Sequence, residues 1–262
     1  MIVRFDQTPI KTRRLMPPQE VPMIQVEGRN PVHETLKTLR PERVLFAKGI
    51  EDQAKIVEIL RLAEERGIPV EYVPKKRLDA ISKSGRHQGV IAIIQPPKAS
   101  TLKGILARNQ GDITLILIDR LYDPMNLGSI LRTAEATGVD AVVIPKKGSV
   151  GLTPTVLRVS MGGGLHVPVI KDNLFQAAKL LKQEGVKLVA VDPAGATDYY
   201  LERLTGSVAF VLGGEDRGIN DSLLNRCDSI VKIPMRGSIT SLNVGTATAV
   251  VLYERMRQLA RA

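Results

Sequence analysis

Tryptophan is absent from the chain, cysteine occurs once, and aromatic side chains make up 3% of its 262 residues. Each scarcity excludes something. A single cysteine, Cys227, rules out an intrachain disulfide and a cysteine zinc site, and fits a reducing compartment. Histidine is nearly as scarce: His33, His87 and His166 lie far apart and without metal-ligand spacing, so no metal is expected. No apolar run approaches the roughly 20 residues that a membrane span needs, so no membrane partner is expected either. Residues 1–21 carry Arg4, Lys11, Arg13 and Arg14 among several prolines, but also Asp6 and Glu20. That makes a poor signal peptide and a weak transit peptide, and an extended basic arm is the plainer reading. The expected compartment is the cytoplasm, ahead of the mitochondrion.

What the chain has in excess is positive charge. Lys and Arg total 37 against 27 Asp and Glu, a formal net charge of +10, which suggests a polyanionic partner, nucleic acid before an anionic membrane. The excess is uneven. Residues 71–110 hold eight basic side chains and two acidic ones, more than half of the net charge. Within them "KSGRHQG" (Lys83–Gly89) is a glycine-flexed basic loop of the kind that follows a phosphate backbone. Lys83 and Arg86 are its candidate nucleic-acid contacts; His87 is either a loop hydrogen bonder or a third contact.

A Pro/Lys-containing stretch, "QPPKASTLKG", divides the sequence. The expected organisation is a basic arm over 1–21, a small α/β domain over 22–96, a linker over 97–111 and a larger α/β domain over 112–262. In the smaller domain "RVLFA", "IPVEYV" and "GVIAII" read as strands and "EDQAKIVEILRLAEERG" as an amphipathic helix ending at Gly67. In the larger, "ITLILID" is a continuous apolar run typical of a parallel strand buried on both faces. Asp123 can cap a helix that begins at Pro124 and carries Leu127, Ile130, Leu131 and Ala134 on one face, with Gly138 to end it. "DAVVIP", "VKLVAVD", "SVAFVLGG" and "SIVKIPM" read as strands, "NLFQAAKLLKQEG" and "SLLNRC" as helices, and a last helix begins near Ser241. The pattern predicts a mostly parallel sheet with helices on both faces.

In such sheets ligands bind beyond the carboxyl ends of the strands. Three loops there mix glycine with a few polar side chains: "DRLYDPMNLGSILR", "LGGEDRGI" and "IPMRGSITSLN". None has dinucleotide-fingerprint or P-loop spacing, "MGGG" (Met161–Gly164) matches neither, and no G-x-S-x-G elbow is present. Residue patterns alone therefore reach a basic two-domain α/β protein with a crevice built from three glycine-bearing loops.

"DPMNLGSILRTAEATGVDAVVIP", "AFVLGGEDRGI" and "CDSIVKIPMRGSITSLNVGTATAVVLYE" resemble, in order, the three signature motifs of the SpoU (TrmH-like) RNA ribose 2′-O-methyltransferases of the SPOUT superfamily. "GRNPVHETLK" and "HQGVIAII" resemble the L30e-like substrate domain that precedes the catalytic domain in 23S rRNA guanosine 2′-O-methyltransferases. The resemblance implies a C-terminal deep trefoil knot, a homodimer, and S-adenosylmethionine bound within the knot. It implies that Leu212, Gly213, Ile233 and Leu242 hold the adenosine part of the cofactor, and that Asn126, Arg132, Glu215, Ser241 and Asn243 line the reacting end. Arg132 is the family's proposed activator of the ribose hydroxyl. An arginine hardly loses its proton in proteins, so clamping a phosphate and stabilising the developing oxyanion is the alternative role.

Simpler readings stand beside these. Asn126 could bond backbone in a first helical turn, Arg132 could pair with Glu135, Glu215 with Arg217, and Ser241 or Asn243 could only cap the last helix. Cys227 reads as a buried core residue, and His166 receives no role. The expected partner is large-subunit rRNA. The alternatives are a tRNA ribose methyltransferase, a class whose members often lack such a front domain, a non-catalytic RNA-binding ribosome-assembly factor, and an ordinary nucleotide-dependent α/β enzyme. One departure stands out: where relatives read "SLNVS", this chain has Gly245, which removes a hydroxyl and weakens the helix by up to about 1 kcal/mol.

Overall fold

The computed structural model describes residues 23–261 except 96, 98 and 99. The expected basic arm, residues 1–21, and Lys98 of the basic stretch lie outside the described residues.

The first unit contains β1 (Ile24–Glu27), α1 (Arg29–Thr38), β2 (Arg43–Ala47), α2 (Ala54–Glu65), β3 (Val70–Val73), α3 (Lys75–Ile81) and β4 (Val90–Ile94). Its sheet runs β1-β4-β2-β3, with β4 antiparallel to both neighbours and β2 parallel to β3. Ile56, Ile59 and Ala63 of α2 recur at helical spacing and are buried against Val44, Phe46 and Ala92 of the sheet.

The expected linker over 97–111 is corrected in part. It contains α4 (Leu102–Arg108), capped by Thr101, whose hydroxyl accepts from Gly104 N at 3.1 Å. Leu102 is buried in the core of the second unit, and Ile105 and Leu106 pack against that core. A helix of seven residues offers too few turns for its apolar face to show as a period.

The second unit contains β5 (Thr114–Ile118), α5 (Pro124–Ala136), β6 (Ala141–Pro145), α6 (Pro154–Val159), β7 (Val169–Asp172), α7 (Leu174–Gln183), β8 (Lys187–Val191), β9 (Thr197–Asp198), β10 (Val208–Leu212), α8 (Asp221–Leu224), β11 (Ser229–Lys232) and α9 (Val244–Leu259). Its sheet runs β7-β6-β5-β10-β8-β11-β9, and every neighbouring pair is parallel. In β5, Leu115 and Leu117 enter the core on one face while Ile116 and Ile118 enter the core on the other. A strand covered on both sides gains nothing from polar alternation, which is why it reads as an unbroken apolar run.

The α5 helix starts as its sequence predicts. The Asp123 carboxylate accepts from Met125 N at 2.8 Å, Pro124 is the first helical residue, and Gly138 follows the last turn at φ 70°. The last helix starts three residues later than expected, at Val244, because the Asn243 side chain takes the cap and accepts from Gly245 N and Thr246 N. Its far end is pinned by Arg255, a buried guanidinium that donates to Thr114 Oγ1 (3.0 Å) and to the carbonyls of Leu204 and Gly206. Burial holds the Arg255 pKa below its usual value, with the Asp112 and Asp140 charges opposing that shift. The two units meet where α6 packs on β1, and Leu157 of α6 is buried in the core of the first unit.

Candidate active site

Chain order reverses between β5 and β10, the strands at the centre of the larger sheet, and beyond their carboxyl ends lies a crevice of about 660 Å³. The turn after β10 runs hard against the turn after β5. A side chain on Gly214 would begin 2.1 Å from the Asp119 carbonyl oxygen, and one on Gly213 would begin 2.6 Å from the Gly218 backbone. Only glycine permits this approach, so "GG" here is a packing requirement before it is anything else. Asp119, nearly buried, accepts from Asn220 N at 3.1 Å and ties the same two turns together.

A chain of side-chain hydrogen bonds joins the three loops read from the sequence. Glu215 accepts from Asp123 N through both carboxylate oxygens (3.1 and 3.2 Å) and from Asn126 Nδ2 at 2.6 Å. Asn126 Oδ1 in turn accepts from Asn243 Nδ2 at 2.8 Å, and Asn243 Oδ1 caps α9. The order of donors is forced. A carboxylate can only accept, so the Asn126 amide must face it, and the carbonyl left over must take the Asn243 amide. Each amide therefore has one chemically allowed orientation.

Of the residues expected at the reacting end, Asn126, Glu215, Ser241 and Asn243 line the crevice; of those expected to hold adenosine, Leu212, Gly213, Ile233 and Leu242 all line it. Arg132 does not. It is exposed on α5, six residues and therefore roughly 9 Å of helix beyond Asn126, and among the described residues it forms no salt bridge with Glu135 or any other carboxylate. Glu215 likewise does not pair with Arg217; its oxygens are turned to α5. Asp192 and Pro193, absent from the sequence-based expectations, also line the crevice. They follow β8 in "VAVDPAG", and the carboxyl-end rule applied to that strand as well would have found them.

The crevice suits a ligand with an apolar ring and a cationic centre. Val191, Leu212, Ile233, Leu242, Val244 and Ala247 supply apolar wall, the glycine turn supplies approachable backbone, and Asp123, Asp192, Glu215 and Asp216 place carboxylates around it.

In the first unit, Lys83 and Arg86 are exposed, and among the described residues neither forms a salt bridge. Their loop is held by the fully buried Glu27 of β1, which accepts from Ser82 Oγ (2.6 Å), Lys83 N (2.7 Å), Ser84 N (3.1 Å) and Ser84 Oγ. Burial opposes its ionisation, but these bonds outweigh burial and hold the Glu27 pKa below the ordinary carboxylate value. His87 is corrected as a direct RNA contact, because it is 5% exposed. Its Nδ1 accepts from Gly89 N at 3.0 Å, so Nε2 carries the proton and donates to Asp79 Oδ1 at 2.8 Å. The ring fixes the loop's exit and leaves the surface to its neighbours.

Comparison with known proteins bears on the same residues. Residues 113–253 match the SpoU rRNA Methylase family, and residues 25–100 match RNA 2′-O ribose methyltransferase substrate binding. A candidate TrmH-family tRNA/rRNA methyltransferase of Staphylococcus aureus is 40% identical over 238 residues, covering 89% of this chain and 95% of its own. A solved RNA 2′-O ribose methyltransferase superposes with a TM-score of 0.79 at 28% identity, covering 91% of this chain and 89% of its own. The AdoMet complex of the SpoU methyltransferase AviRb from Streptomyces viridochromogenes shares the fold, with a TM-score of 0.77 at 24% identity over 92% of each chain.

Proposed function

The chain belongs to the SpoU rRNA methylase family, and from that premise we propose that it methylates a ribose 2′-hydroxyl of structured RNA, a guanosine of large-subunit rRNA. It is an S-adenosylmethionine-dependent RNA methyltransferase, and that cofactor supplies a methyl group activated on a sulfonium centre. The observation that carries the proposal is the bonded series Asn243–Asn126–Glu215 at the rim of the glycine-backed crevice. Leu212, Ile233 and Leu242 form the wall for the adenosine part, with Gly213 backbone beside them, and the carboxylates favour the cationic sulfonium.

A ribose hydroxyl is a very weak acid, so placing it in line with the methyl group supplies much of the rate; a well-oriented pair gains roughly 7–11 kcal/mol. Asn126 and Asn243, each locked in one orientation, and Ser241 form the polar surface against which the ribose is set. Arg132, outside the crevice on the same helix, clamps a neighbouring phosphate and stabilises the developing oxyanion. The basic loop with Lys83 and Arg86 holds more distant RNA, and α6 packed on β1 sets its distance from the crevice. The reading includes a homodimer, a trefoil knot around the cofactor and a cytoplasmic location. A tRNA substrate is the second reading; the rRNA reading is supported by the presence of a substrate-binding unit over 25–100, a front domain that tRNA ribose methyltransferases often lack.

Transfer of tritium from labelled S-adenosylmethionine into rRNA, followed by mapping of the modified ribose, tests the proposal. Label in a guanosine ribose of large-subunit rRNA is the expected result. Label in tRNA alone would move the assignment to the second reading. No transfer into any RNA, with cofactor binding intact, would leave the non-catalytic assembly factor. Arg132→Ala should abolish transfer while sparing cofactor affinity; undiminished turnover would remove Arg132 from the mechanism.

A further inference from the structure

Of the carboxylates that line the crevice, Glu215 gives both oxygens to α5 and its start, and Asp123 gives one to the cap of that helix. Asp216 is exposed. Asp192 differs from all three. It is half-buried at the carboxyl end of β8, one residue past Val191, which pairs with Leu212 on one side and Val231 on the other. That register sets Asp192 level with Gly213 and Lys232, beside the residues assigned to the adenosine part of the cofactor. The turn that carries it is fixed. Asp192 N donates to Val231 O at 2.9 Å, and Asp192 Oδ1 accepts from Ala194 N at 2.9 Å. A side chain on Gly195 would begin 2.5 Å from the Val231 backbone, so the turn lies hard against β11. Oδ2 is left over. Among the described residues it accepts no hydrogen bond and pairs with no cation. It lies 3.8 Å from where a side chain on Gly218 would begin, so it faces the glycine turn after β10.

We infer that Asp192 Oδ2 accepts hydrogen bonds from the sugar hydroxyls of the cofactor's adenosine. The inference rests on the S-adenosylmethionine assignment above. A carboxylate can only accept, so its partner is a donor or a cation. The sulfonium has to face Asn126 and Asn243, where the ribose to be methylated is set, and the ammonium lies further along the methionine chain. The adenine ring takes the apolar wall of Ile233, Leu242, Val244 and Ala247. The sugar joins ring to sulfonium, and its two adjacent hydroxyls bring two donors to a charged acceptor, the strong class of hydrogen bond. The bond to Ala194 N aims Oδ2 before any ligand arrives.

The test is calorimetric binding to the original chain, Asp192→Ala and Asp192→Asn. The ligands are S-adenosylmethionine, S-adenosylhomocysteine, and analogues of the latter lacking the sugar hydroxyls or the adenine amino group. The neutral homocysteine compound takes the sulfonium charge out of the comparison. Loss of the sugar hydroxyls should weaken binding to the original chain at least about tenfold, the size of a hydrogen bond to a charged group. In Asp192→Ala the same loss should cost less than about threefold, because the partner is already gone. Asp192→Asn keeps the bond to Ala194 N through its carbonyl, so its unfolding temperature should match the original. Its affinity for S-adenosylmethionine and S-adenosylhomocysteine should fall by one common factor. Equal sensitivity to the hydroxyls in the original chain and Asp192→Ala would overturn the inference. So would a loss confined to S-adenosylmethionine, or a dependence on Asp192 that follows the adenine amino group in place of the hydroxyls. An original chain that binds neither parent compound would overturn the cofactor assignment itself, and the inference with it.

Discussion

At the scale of single residues the most exacting position is Asn126. It faces both an obligatory acceptor and an obligatory donor, Glu215 and Asn243. Asn126→Asp keeps the shape and sets two carboxylates 2.6 Å apart where a hydrogen bond had been. We expect a loss of about 0.5–1.5 kcal/mol in denaturant unfolding, the net contribution of an ordinary hydrogen bond, together with loss of methyl transfer. Unchanged stability would mean that the amide series does not hold the three loops together. Cys227 is the opposite case. Burial pushes its thiol up to about 11, with the Asp228 charge adding to the shift and Lys182 opposing it. Its side chain, half-buried, packs against the core of the second unit. Alkylation of the folded chain at pH 8 should therefore be far slower than of the unfolded chain; equal rates would contradict the burial. The sequence offered capping and catalysis as rival roles for Asn243. They are not rivals, because an amide has two ends: its oxygen caps α9 while its nitrogen reaches Asn126. A single residue letter cannot disclose a second partner 117 positions away.

At the scale of elements, strongly periodic segments were legible and several short ones were not. α5 announced itself by Asp123, Pro124 and four apolar residues on one face, whereas α3 and α4, seven residues each, and the four-residue β1 carry too little period to separate them from loop. Yet β1 carries Glu27, which holds the basic loop. The charged Glu27 is favoured by the fold, so its bonds stabilise the protein above the unfolded carboxyl pKa of about 4.3. That contribution falls away as pH drops through the lower folded pKa. Glu27→Gln should thus destabilise the chain at pH 7, and the gap between the two proteins should narrow in acid. A gap that widened in acid would reverse the assigned sign. At the other end of the chain, Asn243→Ala should cost roughly 0.5–2 kcal/mol as a lost helix cap, measured by thermal unfolding, and methyl transfer should fall further than that stability loss explains.

At the scale of the whole molecule, the net charge of +10 was visible from composition, but composition could not say that two of the cations, Lys83 and Arg86, are displayed on a loop hydrogen-bonded from beneath to Glu27. Charge and order make separable contributions to RNA binding, and two variants pull them apart. Replacing Lys83 and Arg86 with alanine removes two charges proposed to bind phosphate, so affinity should fall and the salt dependence should flatten by about 1.4–1.8 in slope. Glu27→Gln instead raises the net charge by one while loosening the loop that carries those cations. If attraction to the polyanion were all that mattered, this variant would bind RNA more tightly. If the four bonds to Glu27 hold Lys83 and Arg86 at the spacing of a phosphate backbone, it should bind more weakly despite its greater charge, with a salt slope near the original. Titration of both variants against structured rRNA at several salt concentrations decides the matter. Tighter binding by Glu27→Gln would reduce the loop to a diffuse positive patch, and weaker binding makes the buried carboxylate part of the RNA site that it never touches.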